Sequence, residues 1–169
     1  MLNLFVGSTY KTRHELVTKE NVEVLLKDDI RSKIVGNQKL FIYGSKPCVL
    51  EINNKIKYMG GFYYEENKDN LTECENVVYS ELSQIDKSDL IIIILHNYSA
   101  IATITELMYA SLKKKKIVIF CDPKITRFEI DGEYWFPIIA AKKINDNIEV
   151  IFSEKDSDII DYIEKLEVE

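Results

Sequence analysis

The chain has 169 residues, 46% of them apolar, which suits one domain, residues 1–169, with a sizeable core. Its 22 Lys and Arg against 28 Asp and Glu leave a formal charge of −6, so there is no basic footprint for a nucleic-acid polymer. No apolar run approaches the roughly 20 residues of a membrane helix, and MLNLFVGSTY lacks the basic flank of a signal peptide. A cytoplasmic protein without membrane contact is expected.

Leu2 to Val6 reads as a first strand, followed by the small-residue turn Gly7-Ser8-Thr9-Tyr10. Such a turn lets a ligand approach the backbone, but it is not GxGxxG, so the dinucleotide fingerprint is absent. Thr12 and Glu15 form a capping box for a helix from near Arg13 to about Val35, with Val22, Leu26 and Ile30 on one stripe. Gly36 and Asn37 stop it. Leu40 to Tyr43 is a short strand, and Val49 to Ile52 with Ile56 to Met59 reads as a hairpin around Asn53-Asn54-Lys55. Gly60 and Gly61 then sit inside the aromatic cluster Tyr58, Phe62, Tyr63 and Tyr64. Thr72 and Glu75 open a helix running to about Ile85, with Val78, Leu82 and Ile85 inward.

Ser88 to Pro123 is the most informative stretch. It holds an unbroken apolar strand, Leu90 to Leu95, a polar loop, His96 to Ser99, and a helix carrying Glu106. The lysines 113–116 close that helix, where cations suit the negative end of its dipole. A strand from Ile117 to Phe120 ends in Cys121-Asp122-Pro123. Asp131-Gly132 is a hairpin signal between Ile125 to Ile130 and Glu133 to Phe136. Ile148 to Phe152 is a last strand, and Asp158 to Glu167 a closing helix with Ile159, Ile163 and Leu166 on one stripe.

This alternation predicts an α/β protein, a flavodoxin-like or Rossmann-like three-layer sandwich on a mainly parallel sheet of about five strands. Continuous apolar strands belong where helices cover both faces, and ligands sit beyond the carboxyl ends of the strands. The weight therefore falls on 7–10, 96–105 and 121–123. Cys48, Cys74 and Cys121 form no CxxC or Cys/His cluster, and His14 and His96 are too far apart in sequence to suggest zinc. Free thiols, no metal and no cofactor are expected.

Glu106 shares a stripe with Ala102, Thr103, Tyr109 and Ala110, small and semi-polar, beside a core stripe of Ile101, Ile104 and Met108. A carboxylate on such a face at a crevice can act as a nucleophile toward an electrophilic carbon. The alternative is that Thr103-x-x-Glu106 is itself a capping box, with Glu106 satisfying backbone amides. Asp89 reads as a structural turn acceptor. Asp122 either hydrogen-bonds a sugar hydroxyl or makes an Asp-Pro turn. His96 is either an acid at a strand end or a residue without a partner acid. Trp135 reads as packing on the sheet or a neighbouring subunit.

The chain resembles the nucleoside 2-deoxyribosyltransferase family, in the broad sense that includes deoxynucleoside-phosphate N-glycosidases. FVGSTY is similar to its first-strand turn, and KYMGGFYY to its Y-x-G-P-F-F stretch with Gly61 for proline. SDLIIIIL, a loop, and ATITELMYASLKKKKIVIF are similar to its acid-bearing strand and D-x-G-T-x-x-E-L-x-Y-A run. The resemblance implies that Glu106 attacks the anomeric carbon of a nucleoside or nucleotide, forming a glycosyl-enzyme ester completed by transfer to a second base or to water. It implies that the turn carrying Gly7, Ser8 and Tyr10 touches the sugar or orients the nucleophile, and that Thr103 matches a binding residue of the family. Tyr10 either donates to Glu106 or caps the sheet edge as an ordinary aromatic, and Phe62 beside Gly60 either stacks on the base or packs in the core and rim. The resemblance also implies a homo-oligomer. The family's acid six residues before the nucleophile is Ala100 here, and its glycine before the threonine is Ala102. Asn97 or Ser99 would have to compensate in binding the base. HNYSAIATITEL is also loosely similar to the TIR stretch that ends in an NAD-cleaving glutamate, with Ser99 one residue off and Ile104-Thr105 in place of the usual aromatic-cysteine pair. A third reading is a non-catalytic nucleotide-binding module on the same scaffold.

Overall fold

The computed structural model describes residues 2–8, 48–52, 56–60, 71–96, 100–126 and 133–166. The helix expected over 13–35 and the strand over 40–43 lie outside them. Six strands form one sheet: β1 (Leu2–Ser8), β2 (Cys48–Ile52), β3 (Ile56–Gly60), β4 (Leu90–Leu95), β5 (Lys116–Cys121) and β6 (Ile148–Phe152). The helices among the described residues are α1 (Leu71–Lys87), α2 (Ile101–Leu112), α3 (Pro123–Thr126), α4 (Trp135–Ile144) and α5 (Asp156–Glu164).

The spatial order is β2-β3-β1-β4-β5-β6. β3, β1, β4, β5 and β6 run parallel; β2 pairs antiparallel with β3 across the expected hairpin. This is the expected α/β class with a mainly parallel sheet, plus one antiparallel edge strand. β4 is central, and all six of its residues are buried. A run of β-branched side chains tolerates this because apolar layers cover both of its faces.

Strand alternation separates the two layers. Ile91, Ile93 and Leu95 join Phe5, Ile117, Ile119, Ile85, Leu107 and Ile138 in one core under α1, α2 and α4. On the other face, Ile159 and Ile163 of α5 are buried, and Phe120 meets Tyr162 edge to face at 5.5 Å. Burial there pushes the Tyr162 phenol upward, with the nearby Glu149 charge adding to it.

Two expectations are corrected. The Asp131-Gly132 hairpin is not seen on either of its described flanks: Ile125 and Thr126 lie in α3, and Trp135 and Phe136 open α4. Pro137 suits α4's first turn, where backbone N–H groups have no helical partner. Ala140 and Ala141 favour helix, and Ile138 and Ala141 bury the inner face. In α1, Ile85 is buried and Leu82 packs against the core as expected, while Val78 is 56% exposed; the inward stripe of α2 is displaced, with Ile101 78% exposed. α2 turns Thr103, Leu107, Ala110 and Ser111 inward instead, with Ile104 and Met108 flanking the core.

The lysine run closes α2 at the amino edge of the sheet. Lys114 takes the left-handed conformation, φ 57°, and the amides of Lys114 and Lys115 bond the carbonyls of Ser111 and Ala110, a Schellman ending. Lys115 Nζ donates to the carbonyls of Asp86 (2.7 Å) and Ser88 (3.0 Å), where α1 ends. Lys113 pairs with Asp86 at 3.5 Å. Asp89 accepts from Asn3's amide (2.9 Å) and side chain (3.1 Å), tying β1 to β4 at the same edge. Its structural reading holds.

Candidate functional site

From β1 the chain passes to β3 on one side, then returns through α1 to β4 on the other. Strand order thus reverses between β1 and β4, where a doubly wound sheet opens a crevice beyond its carboxyl ends. The register pairs Gly7 with Ile93 and Ser8 with Ile94 at that edge. Gly60 ends β3 one step beyond the Phe5–Met59 pair, at the same edge.

Glu106 reaches this point from above. α2 begins at Ile101 with Ala100 as its N-cap, which makes no side-chain capping bond. Glu106 is therefore the sixth helical residue, and the capping-box reading of Thr103 and Glu106 is corrected. The helix starts early because Ala100 is held from both sides. Its carbonyl accepts from Ile104's amide at 2.8 Å, and its own N–H donates to the Tyr134 hydroxyl at 3.0 Å.

Glu106 is half-buried, with Oε2 fully covered. A Cβ built on Gly7 would overlap Glu106 Oε2 and lie 3.5 Å from its Cδ and 3.1 Å from Ile93 Cδ1. Gly7 is the space in which this carboxylate sits. Thr103, one turn earlier, is buried against the sheet.

At the next strand end, Asp122 spends Oδ1 on Lys124's amide at 2.7 Å, capping α3, while its own amide bonds Leu95's carbonyl at 3.1 Å. Beyond it Lys124 Nζ meets Glu154 Oε2 at 2.6 Å. That hydrogen bond holds the Glu154 carboxyl below its ordinary range and raises the Lys124 ammonium.

On the α5 side, His96 follows β4 directly. Its side chain is 10% exposed, with Nδ1 3.6 Å from Asp156 Oδ1. Its Nε2 is buried with no hydrogen-bond partner among the described residues. Asp156 opens α5, where the helix dipole favours a carboxylate.

The structure thus brings together Glu106, Gly7 and Thr103, and sets Ser8, Gly60 and Asp122 along the same edge. Tyr10, Phe62, Asn97 and Ser99 lie outside the described residues. Sequence reasoning missed Tyr134 and Asp156. The first was hidden by the hairpin reading. The second was legible as an acid opening the helix after a last parallel strand, a place topology puts at the ligand edge. Among the described residues no group of three or more His, Cys, Asp or Glu is placed to hold a metal ion. No helix there is long and apolar enough to cross a membrane. Cys121 is buried, its thiol donating to the Ile151 carbonyl at 3.9 Å.

Sheet and crevice define a doubly wound, Rossmann-like α/β protein. No family model and no curated protein matches the chain. Among solved structures, the Clostridium botulinum CMP N-glycosidase BcmB is similar over 96% of this chain and 97% of its own, at 12% identity and TM-score 0.49. Era in complex with MgGDPNP and a 16S ribosomal RNA segment is similar over 96% of this chain and 54% of its own, at 13% identity and TM-score 0.47. An Aquifex aeolicus Era variant bound to GDP·AlF4− gives 13% identity and TM-score 0.42 over 98% of this chain and 56% of its own. At these values the likeness identifies no function.

Proposed function

We propose that the protein cleaves the N-glycosidic bond of a nucleoside or nucleotide through a covalent glycosyl ester on Glu106. One observation carries the reading: a carboxylate on the sixth residue of α2, seated over the glycine of β1 where strand order reverses. The sequence resemblance in ATITELMYA independently picks the same residue.

In the first step a Glu106 oxygen bonds to the anomeric carbon as the carbon–nitrogen bond breaks, and the electron pair leaves with the base. In the second, water attacks the same carbon and loses a proton, matching the one the departed base takes up, while the ester bond breaks and the carboxylate returns. Two low barriers replace one high one. Gly7 lets the carboxylate lie low, and Thr103 packs the turn that presents it. Ser8, Gly60 and Asp122 border the sugar and base, with Tyr10, Phe62, Asn97 and Ser99 completing the pocket, in a homo-oligomer.

The test is a panel of nucleosides, deoxynucleoside 5′-monophosphates and NAD, scored for released base by chromatography. Base release by the wild type and none by Glu106→Gln of unchanged thermal stability is the expected result. Full turnover by Glu106→Gln would sink the nucleophile assignment, and release of nicotinamide from NAD alone would move the substrate class to dinucleotides.

A further inference from the structure

We propose that His96, oriented by Asp156, is the acid and then the base that serves the group leaving and entering opposite Glu106. The proposal rests on the glycosidase reading above. It starts from a different pair of residues, on the other face of the sheet.

His96 is nine-tenths buried, yet its Nε2 has no hydrogen-bond partner among the described residues. Burying an imidazole nitrogen that way costs free energy unless something else uses it. Asp156 Oδ1 lies 3.6 Å from the other ring nitrogen, Nδ1. A carboxylate there favours a proton on Nδ1 and leaves Nε2 as the atom that gives or takes one. The dyad also stands at the carboxyl end of the central strand, beside the crevice.

Its position relative to Glu106 gives it a task. Glu106 enters from the α2 face, over Gly7 and beside Ile93. His96 turns to α5, which packs on the opposite face. Displacement at a carbon needs nucleophile and leaving group on opposite sides. A sugar placed across the ends of β1 and β4 would present its anomeric carbon to Glu106 and its base toward His96.

The steps balance. As the Glu106 oxygen bonds to carbon and the carbon–nitrogen bond breaks, the base nitrogen takes the proton from Nε2 of the imidazolium, leaving neutral imidazole. The base departs and water takes its place on that side. Neutral Nε2 removes a proton from the water as its oxygen bonds to the anomeric carbon, and the bond to Glu106 breaks. The imidazolium and the carboxylate are both restored. One residue acting as acid in the first half and base in the second is what a double displacement requires of its helper.

The experiment compares natural and activated leaving groups. Wild type, His96→Asn, Asp156→Asn and Glu106→Gln are given the nucleoside panel and 4-nitrophenyl ribofuranoside and 2-deoxyribofuranoside, with and without a 5-phosphate. Nitrophenolate leaves without needing a proton. His96→Asn is expected to lose about 100-fold or more in base release, yet to keep the nitrophenolate burst, followed by slow turnover because water is no longer activated. That burst also reports a folded site. Asp156→Asn is expected to lose less, and to shift the His96 ring nitrogen resonances away from the Nδ1–H form.

Base release by His96→Asn within about threefold of wild type would overturn the acid role. Loss of the burst together with base release would assign His96 to holding the site's shape. Unchanged ring resonances in Asp156→Asn would remove the positioning role. A burst retained by Glu106→Gln, or none from the wild type with any probe, would bring down the glycosidase reading itself.

Discussion

Gly7→Ala separates activity from stability in one substitution. The added methyl overlaps Glu106 Oε2 and approaches Ile93 Cδ1 at 3.1 Å. Ile93 is fully buried in the core and cannot yield, whereas the end of a glutamate can rotate. Restoring ordinary van der Waals separation moves the carboxylate by about 1 Å. A displacement of about 1 Å in a reacting group costs on the order of 100-fold in rate, equivalent to about 2.7 kcal/mol of barrier. Stability responds differently. Loss of glycine's freedom in the unfolded chain contributes about 0.4–1 kcal/mol, and the tightened core contact costs about 1–3 kcal/mol, so the net loss lies between about 0 and 2.6 kcal/mol. The assay pairs kcat for base release with urea unfolding. In a Glu106→Ala background the overlap is gone, and Gly7→Ala should cost less stability than it does in the wild type. Wild-type turnover by Gly7→Ala, or activity lost only in step with the folded fraction, would refute the reasoning.

Tyr134→Phe removes the hydroxyl that accepts Ala100's buried N–H; it should lower the urea midpoint by an amount equivalent to about 1–3 kcal/mol at unchanged m, and slow turnover as the start of α2 loosens. Lys115→Met removes two bonds to the end of α1 at the edge away from the crevice; a loss of about 1–3 kcal/mol is expected with kcat unchanged. The Lys124–Glu154 pair is exposed and therefore weak and salt-sensitive. Glu154's folded pKa lies below its ordinary 4.5, so its contribution is complete above that value and disappears as pH falls through the lower folded one. Thermal melts of Glu154→Gln should lack that component of acid destabilisation, and added salt should narrow the difference from wild type.

The sheet was legible because β4 and β5 are continuous apolar runs, a pattern only double burial explains. The ligand edge followed from topology, and Glu106 was singled out there by its small, semi-polar stripe and by the family resemblance. What escaped was context. Asp131-Gly132 carries a strong local turn preference, but residues 135–144 bury Ile138 and Ala141 at helical spacing, and tertiary packing decided the outcome. Thr103 and Glu106 satisfy a capping pattern by spacing alone, yet a phenol 34 residues downstream starts the helix three residues earlier. His96 looked unsupported because its carboxylate partner is a neighbour only after β5, β6 and α5 have been laid down. α2's outward Ile101 was misplaced because a helix hydrophobic on several sides does not announce its buried face.

The register of β1 has a consequence for the order of assembly. β4 pairs with β5 through residues close in sequence, Leu90 with Lys116, whereas β1 reaches β4 by joining Leu4 to Leu90. Closing the longer loop costs more chain entropy and is rewarded only when the rest of the sheet is in place. β1 should therefore dock late in folding, and Gly7 with it. A molecule that has built β4, α2, β5, β6 and α5 already carries both Glu106 and the His96–Asp156 pair. The first strand then seats the glycine beneath the carboxylate, so competence for chemistry would arrive with a contact between residues 86 apart in sequence. Hydrogen exchange should find the amides of β1 opening at lower free energy than those of β4 and β5, and activity should vanish with that opening well before the remainder of the sheet is lost.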